Sequence, residues 1–249
     1  LADGEFLVYI QPKYWVGTRA LAGGEALVRW KSPDQGFLSP GEFIPLFEKN
    51  RFIVKLDQFM FTSVCGLLRQ WLDAGIEPRP LSVNVSRMQF HTPDFVERYI
   101  RIKSQYVIPD GLLELEFTES IFFDNVALLS SAVHELRRAG IKCSIDDFGA
   151  GYSSLNVLKA LPVSVLKLDG MFFRTAKDDE QAKIVIRNIM RMAGELKMAT
   201  VAEGVETHEQ VAFLETTGCD IIQGYVFARP MPAAEFTELL AGEGGHAER

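Results

Sequence analysis

Eight short β-like runs punctuate the chain: Phe6–Gln11, a run around Glu25–Arg29, Leu81–Asn84, Leu113–Glu116, Cys143–Asp146, Ser164–Lys167, Met198–Ala202 and Asp220–Gln223. Most of the intervals carry helical patterns. Between Asn125 and Ala139, apolar residues recur at Leu128, Leu129, Ala132, Val133 and Leu136, an amphipathic spacing that Gly140 stops. Ser39-Pro40-Gly41-Glu42 reads as a capping box with proline in the first helical position, and Thr92-Pro93 opens a helix in the same way. Thr207-x-x-Gln210 opens another that ends at Gly218, and Asp178–Leu196 forms a longer one. Strands alternating with helices predict an α/β fold whose sheet is mostly parallel and covered by helices. Eight strands in a chain of 249 residues predict a TIM-type (β/α)8 barrel. The first interval differs from the rest. Only about ten residues separate the first two runs, too few for a helical crossover, and Gly17-Thr18 lies among them. A hairpin follows, with the first strand antiparallel to the others.

Composition narrows the function. Hydrophobic residues make up 47 % and charged residues 24 %, enough apolar material for a large core. The net charge of −7 argues against a non-specific binder of DNA or RNA, which needs basic patches. A phosphate-bearing ligand would need cations to bridge it to so acidic a protein. Cys65, Cys143 and Cys219 are odd in number and far apart, which excludes a legible disulfide framework or CxxC zinc site and predicts reduced, buried thiols. No apolar run approaches a membrane span and no signal peptide is present, so the domain is expected in the cytoplasm without membrane contact of its own. Residues 1–249 read as one domain cut from a longer protein, which leaves room for a membrane anchor elsewhere.

Position is the most informative feature of the polar residues. Asn84, Glu116, Asp146, Lys167, Glu203 and Gln223 each end a separate β-like run, and Glu25 lies in the second run. A barrel gathers the C-terminal ends of its strands at one mouth, where its chemistry takes place. One acidic residue at a strand end is commonly a helix cap or a solvated charge. Five carboxylates at one mouth (Glu25, Glu116, Asp146, Asp147 and Glu203) repel one another unless cations hold them. Hard oxygen donors, the Asn84 amide included, suit Mg²⁺ or Mn²⁺ rather than zinc. No histidine cluster competes, since His91, His134, His208 and His246 read as surface or helix positions. Adjacent side chains on a strand face opposite ways, so Asp146 and Asp147 can share a pocket only if the chain turns; Phe148-Gly149-Ala150-Gly151 is the expected turn. Alternatively, one of the pair is a ligand and the other caps the Ser153-Ser154 segment. Lys167, ending an apolar strand among acids, either balances charge or, beside metal cations that disfavour its charged form, accepts a proton.

The ordered motifs resemble the EAL-domain cyclic di-GMP phosphodiesterases. Glu25-Ala26-Leu27-Val28-Arg29-Trp30 is similar to the family's signature, and Tyr9-Ile10-Gln11-Pro12 to its opening strand. Phe43-Ile44-Pro45, Ser82-Val83-Asn84-Val85-Ser86, Glu116-Phe117-Thr118-Glu119 and Asp146-Asp147-Phe148-Gly149 follow in order. Lys167-Leu168-Asp169, Glu203-Gly204-Val205-Glu206 and Gln223-Gly224-Tyr225 complete the set, which covers nearly the whole chain. The departures are Phe47, where a small residue is usual, and Ile10, where tyrosine is frequent; both read as packing changes.

The resemblance implies a barrel with a reversed first strand and a set of roles. Glu25, Asn84, Glu116 and Asp146 would bind one metal. Asp146 would bridge to a second, joined by Asp147 and, directly or through water, Glu203. Lys167 would contact the attacking water, and Glu206 and Gln223 would order the waters around the metals. Glu25, Lys167, Glu203 and Glu206 are thus the catalytic candidates. Glu119 would support the Asp146–Ser154 loop. Arg29 would pair with a substrate phosphate, Gln11 would hold a base or phosphate, and Leu27 would join them in the substrate site. The implied activity is in-line hydrolysis of the bacterial second messenger cyclic di-GMP to linear 5′-pGpG with two Mg²⁺ or Mn²⁺ ions. Calcium is expected to inhibit because its coordination is larger and looser. A homodimer is the expected assembly. A receptor that binds the dinucleotide without cutting it is the alternative, and a barrel enzyme for another phosphoester is a more distant one.

Overall fold

In the computed structural model, residues 1, 4–118, 121, 126–149, 158, 161–175 and 179–244 are described. The chain opens with β1 (Phe6–Trp15) and β2 (Leu21–Ser32), then a short β3 (Gly36–Leu38), α1 (Pro40–Lys49) and α2 (Ile53–Asp73). Next come β4 (Leu81–Asn84), a 3₁₀ turn over Arg87–His91, α3 (Phe95–Gln105), β5 (Leu113–Thr118), α4 (Val126–Arg138) and β6 (Lys142–Phe148). The C-terminal part holds β7 (Val165–Leu168), α5 (Met171–Thr175), α6 (Glu180–Glu195), β8 (Ala199–Ala202) and α7 (His208–Glu215). It ends with β9 (Ile221–Ile222), β10 (Met231–Pro232) and α8 (Ala233–Gly244).

Eight strands close a barrel in the order β1, β2, β4, β5, β6, β7, β8, β9 and back to β1. The strands from β2 to β9 in this ring run parallel, and β1 is antiparallel to both neighbours, β2 and β9. The expected barrel with its reversed first strand is what forms. β3 extends the β2 edge and β10 the β1 edge; both are two or three residues long and carry too little pattern to be read from sequence.

Strand alternation decides which residues meet inside. Val83, Leu115, Phe117, Ile145, Leu166 and Leu168 are buried in the main apolar cluster with Phe61, Leu68 and Trp71 of α2 and Val133 and Leu136 of α4. The residues between them, Ser82, Asn84, Glu114, Glu116, Ser144, Asp146 and Lys167, take the opposite face and line the barrel interior. The mouth of the barrel is therefore polar by construction. A second aromatic cluster forms beside it. Phe47 sets its ring edge-on or tilted, 4.8 to 6.0 Å from those of Phe6, Trp30, Phe43 and Phe52, and Ile10 is wholly buried. Both departures from the family pattern are packing residues.

Ser39 with Glu42, and Thr207 with Gln210, form capping boxes. Gly140, at φ 75°, follows α4 as its stop; Asn125 lies outside the described residues. The α7 helix ends at Glu215, three residues before Gly218. Thr92-Pro93 does not open a helix. The Thr92 hydroxyl donates to the Gln89 carbonyl at 2.6 Å, closing the 3₁₀ turn, and α3 starts at Phe95 after Asp94 in the left-handed region at φ 58°. The three cysteines are free and buried, and no helix of the described residues is long and apolar enough to cross a membrane.

Candidate active site

The site is built from strand ends. Glu25 comes from β2, Asn84 from β4, Glu116 from β5, Asp146 from β6, Lys167 from β7, and Glu203 and Gln223 from just beyond β8 and β9. Register brings them level: Asn84 pairs with Glu116, Thr118 with Asp146, and Gln11 on reversed β1 lies opposite Glu25. The turn at Gly224 allows no side chain, since a Cβ there would collide with the Val205 carbonyl. That close approach sets Gln223 beside the segment following Glu203.

Lys167 is the hub. Its fully buried ammonium lies 2.5 Å from Glu116 Oε2, 2.7 Å from Glu203 Oε1, 2.9 Å from Asp146 Oδ1 and 3.6 Å from Glu25 Oε2. Burial disfavours its charge, but Asp146, Glu116, Glu203 and Glu25 outweigh burial and hold its pKa well above the usual lysine range. Among these carboxylates Lys167 is held as an ammonium.

The remaining polar atoms tie the cluster together. Asn84 Nδ2 donates to Glu25 Oε1 at 2.6 Å, and Gln223 Nε2 donates to Glu25 Oε2 at 2.6 Å and to Gln11 Oε1 at 3.2 Å. Gln11 Nε2 in turn donates to the Ala228 carbonyl at 3.3 Å. Asp146 and Asp147 bring carboxylate oxygens to one place beside Glu203; of the expected turn, Gly149 adopts φ 92°, while Ala150 and Gly151 lie outside the described residues. Asp147 itself adopts φ 54°, and the β6–β7 register breaks between Ile145 and Phe148, so a bulge swings both carboxylates to one side. Residues 150–157, including Ser153 and Ser154, lie outside the described set, as does Glu119.

The electrostatics show an excess of negative charge. Burial alone would raise Glu116, but the ammoniums of Lys13 and Lys167 pull it down to about 2. Burial and the Glu116 carboxylate push Glu25 up, burial drives Glu203 well up, and burial with Asp146 raises Asp147 to about 6. Carboxylates crowded in this way gain stability from added cations. Asp146, Asp147 and Glu203 each offer an oxygen, and these oxygens lie within 4.8 Å of one another. Gln223 Oε1 is buried without a partner among the described residues. An all-oxygen donor set with an unsatisfied oxygen beside it fits Mg²⁺ or Mn²⁺.

The other expected residues sit at the rim. Glu25, Leu27 and Arg29 alternate along one face of β2, which continues past the end of β4. The Arg29 guanidinium lies 5.5 Å over the Tyr9 ring and donates to the Val28 carbonyl. Glu206 is exposed, and its described hydrogen bond is made by its backbone N–H to Gln210 Oε1; the structure does not bring its carboxylate into the Lys167 cluster. His91, His134 and His208 are exposed; His246 lies outside the described residues.

Sequence reading missed two supports. Lys13 of β1 is buried and donates to Ser82 Oγ at 2.7 Å and Glu116 Oε1 at 3.0 Å. Its signal was parity: it lies two residues after Gln11 and shares that residue's face. Asp57 of α2, also buried, accepts from Ser86 N at 3.0 Å and Gln89 Nε2 at 3.1 Å, while Glu48 of α1 accepts from the Ser86 hydroxyl. These two acids hold the turn that follows Asn84.

Comparison with known proteins agrees with this geometry. The EAL domain family model matches residues 1–230. A Pseudomonas aeruginosa protein named cyclic di-GMP phosphodiesterase PA2567 is 38 % identical over 96 % of this chain and 40 % of its own length. Cyclic di-GMP phosphodiesterase NbdA of the same organism is 36 % identical over 96 % of this chain and 31 % of its own. The chain thus spans two-fifths or less of these two relatives. The solved structure of the PaMucR phosphodiesterase in complex with c-di-GMP superposes with a TM-score of 0.88 at 36 % identity, covering 94 % of this chain and 95 % of that one. With its signature on β2, its reversed first strand and its acidic mouth, the chain belongs to the EAL domain family.

Proposed function

We propose that this domain hydrolyses cyclic di-GMP to linear 5′-pGpG. The observation that supports this reading most is the complete oxygen cluster (Glu25, Asn84, Glu116, Asp146, Asp147 and Glu203) gathered round Lys167 at the barrel mouth. Relatives and a solved neighbour carrying the names given above support the choice of substrate.

Glu25, Asn84, Glu116 and Asp146 would hold one Mg²⁺ or Mn²⁺ ion, and Asp146, Asp147 and Glu203 the second. When bound, the two cations supply the Lewis acidity that polarises the scissile phosphate and activates water. The chain's own residues do the rest. Arg29 pairs with a substrate phosphate, Gln11 holds a base or phosphate, and Leu27 gives an apolar wall at the rim. Lys167 would contact the attacking water. Gln223 and Glu206 order the surrounding waters, and Glu119 supports the loop after Asp146. Water attacks one phosphorus, the bond from phosphorus to the ribose 3′-oxygen breaks, and the 3′-oxygen takes up a proton. The new phosphorus–oxygen bond leaves a 5′-phosphate on pGpG.

Turnover in ¹⁸O-labelled water with Mg²⁺ tests this directly. One ¹⁸O in the 5′-phosphate of pGpG is the expected product by mass spectrometry. Intact cyclic di-GMP that remains bound after saturating Mg²⁺ or Mn²⁺ would instead identify a receptor.

A further inference from the structure

Lys13 stands beneath the cluster, and its geometry divides the two oxygens of Glu116. The ammonium of Lys13 lies 3.0 Å from Glu116 Oε1, and that of Lys167 lies 2.5 Å from Glu116 Oε2. The two lysines approach from different strands. Lys167 belongs to parallel β7 and stands among the mouth carboxylates, whereas Lys13 comes from reversed β1 and is anchored by Ser82 Oγ at 2.7 Å. Ser82 is paired with Glu114 across β4 and β5, two residues further from the mouth than Asn84 with Glu116. Lys13 therefore holds Glu116 from the inner side. It does so although Glu114, two residues back on β5, has a buried Oε1 with no partner among the described residues. Lys13 is 6 % exposed and Glu116 1 %, so water is poorly placed to replace either contact.

We propose that Lys13 sets the ion preference of the site. This rests on the reading that Glu116 ligates a divalent cation. An ion at the mouth can displace the Lys167 ammonium from Oε2, but Oε1 stays committed to Lys13. Glu116 then offers one oxygen and cannot swing to offer two. Magnesium, with its tight octahedron, takes single carboxylate oxygens, whereas calcium fills its six to eight positions partly with two-oxygen carboxylates. Lys13 is thus a positioning residue that favours the smaller ion by denying the larger one a second oxygen.

Calorimetric titration of the metal-free domain with Mg²⁺ alone and Ca²⁺ alone, for the wild type and Lys13→Met, reads the preference without turnover. Lys13→Met should shift the ratio of the two dissociation constants toward calcium by on the order of tenfold or more, in the range found when partners of a metal ligand are removed, and Lys13→Arg should recover part of it. An unchanged ratio in Lys13→Met would overturn the proposal. A wild type that binds neither ion would instead overturn the metal reading of the site. Should Lys13→Met not fold, a calcium-loaded crystal structure of the wild type decides. Glu116 should then touch the ion through Oε2 alone with Lys13 still on Oε1, and two-oxygen ligation by Glu116 would refute the idea.

Discussion

Lys167 Nζ and Glu116 Oε2 are 2.5 Å apart at the centre of the barrel mouth, both fully shielded from water. Three more carboxylates reach the same ammonium, so one lysine neutralises a basin with far more negative charge than it carries. Removing it exposes that imbalance. Lys167→Met should destabilise the metal-free domain by about 3–5 kcal/mol, the cost of leaving buried charge unpaired. Mg²⁺ should raise its unfolding temperature more than it raises that of the wild type, because ions bind only the folded basin. Thermal unfolding with and without Mg²⁺ measures both; an equal rise in the two proteins would contradict the charge-balance role.

Asp57 predicts a pH dependence separate from the basin. Burial raises its pKa from 3.8 to about 7, against the hydrogen bonds from Ser86 and Gln89 that lower it. An acid whose folded pKa lies above its unfolded value binds its proton more tightly when folded. Its contribution is thus fully present below about pH 4 and is lost as pH rises through 7, on the order of 4 kcal/mol at most. In Asp57→Asn the side-chain amide oxygen can still accept both hydrogen bonds, and no charge develops. Chemical denaturation of wild type and Asp57→Asn from pH 4 to 8 should show the wild type losing stability relative to the variant as pH rises. Parallel profiles would show that Asp57 carries its charge without penalty.

Phe47 tests the packing beside the mouth. Its ring touches four others, from Phe6, Trp30, Phe43 and Phe52. Phe47→Ala should cost about 3–4 kcal/mol, the cavity and transfer loss of a buried aromatic ring. Mg²⁺ affinity at temperatures where the variant stays folded should be unaltered. A change in metal affinity of tenfold or more would mean that the aromatic cluster also shapes the ligands.

Much of this was legible in the sequence because a barrel turns a one-dimensional pattern into a position. Polar residues that end apolar runs, such as Asn84, Glu116 and Lys167, converge whatever their separation along the chain. The short first interval likewise foretold the antiparallel β1. What escaped reading depends on backbone states or closure that side-chain pattern does not encode. Asp147 and Asp94 occupy the left-handed region without being glycine, so neither the bulge that aims Asp147 nor the true start of α3 is visible locally. Lys13 faces Glu116 only because β1 closes the barrel between β2 and β9. Glu206 was named by motif alone, and it lies exposed beyond the end of β8.

The most direct measurement of the central claim separates the products of cyclic di-GMP incubated with the purified domain and Mg²⁺, beside tubes holding EDTA and Glu25→Ala. Linear pGpG formed by the wild type and lost in both controls is the predicted result, since Glu25 is held by Asn84 and Gln223 at the heart of the oxygen cluster. Undiminished pGpG from Glu25→Ala, or from the wild type in excess EDTA, would contradict the assignment of this basin as the metal-dependent active site.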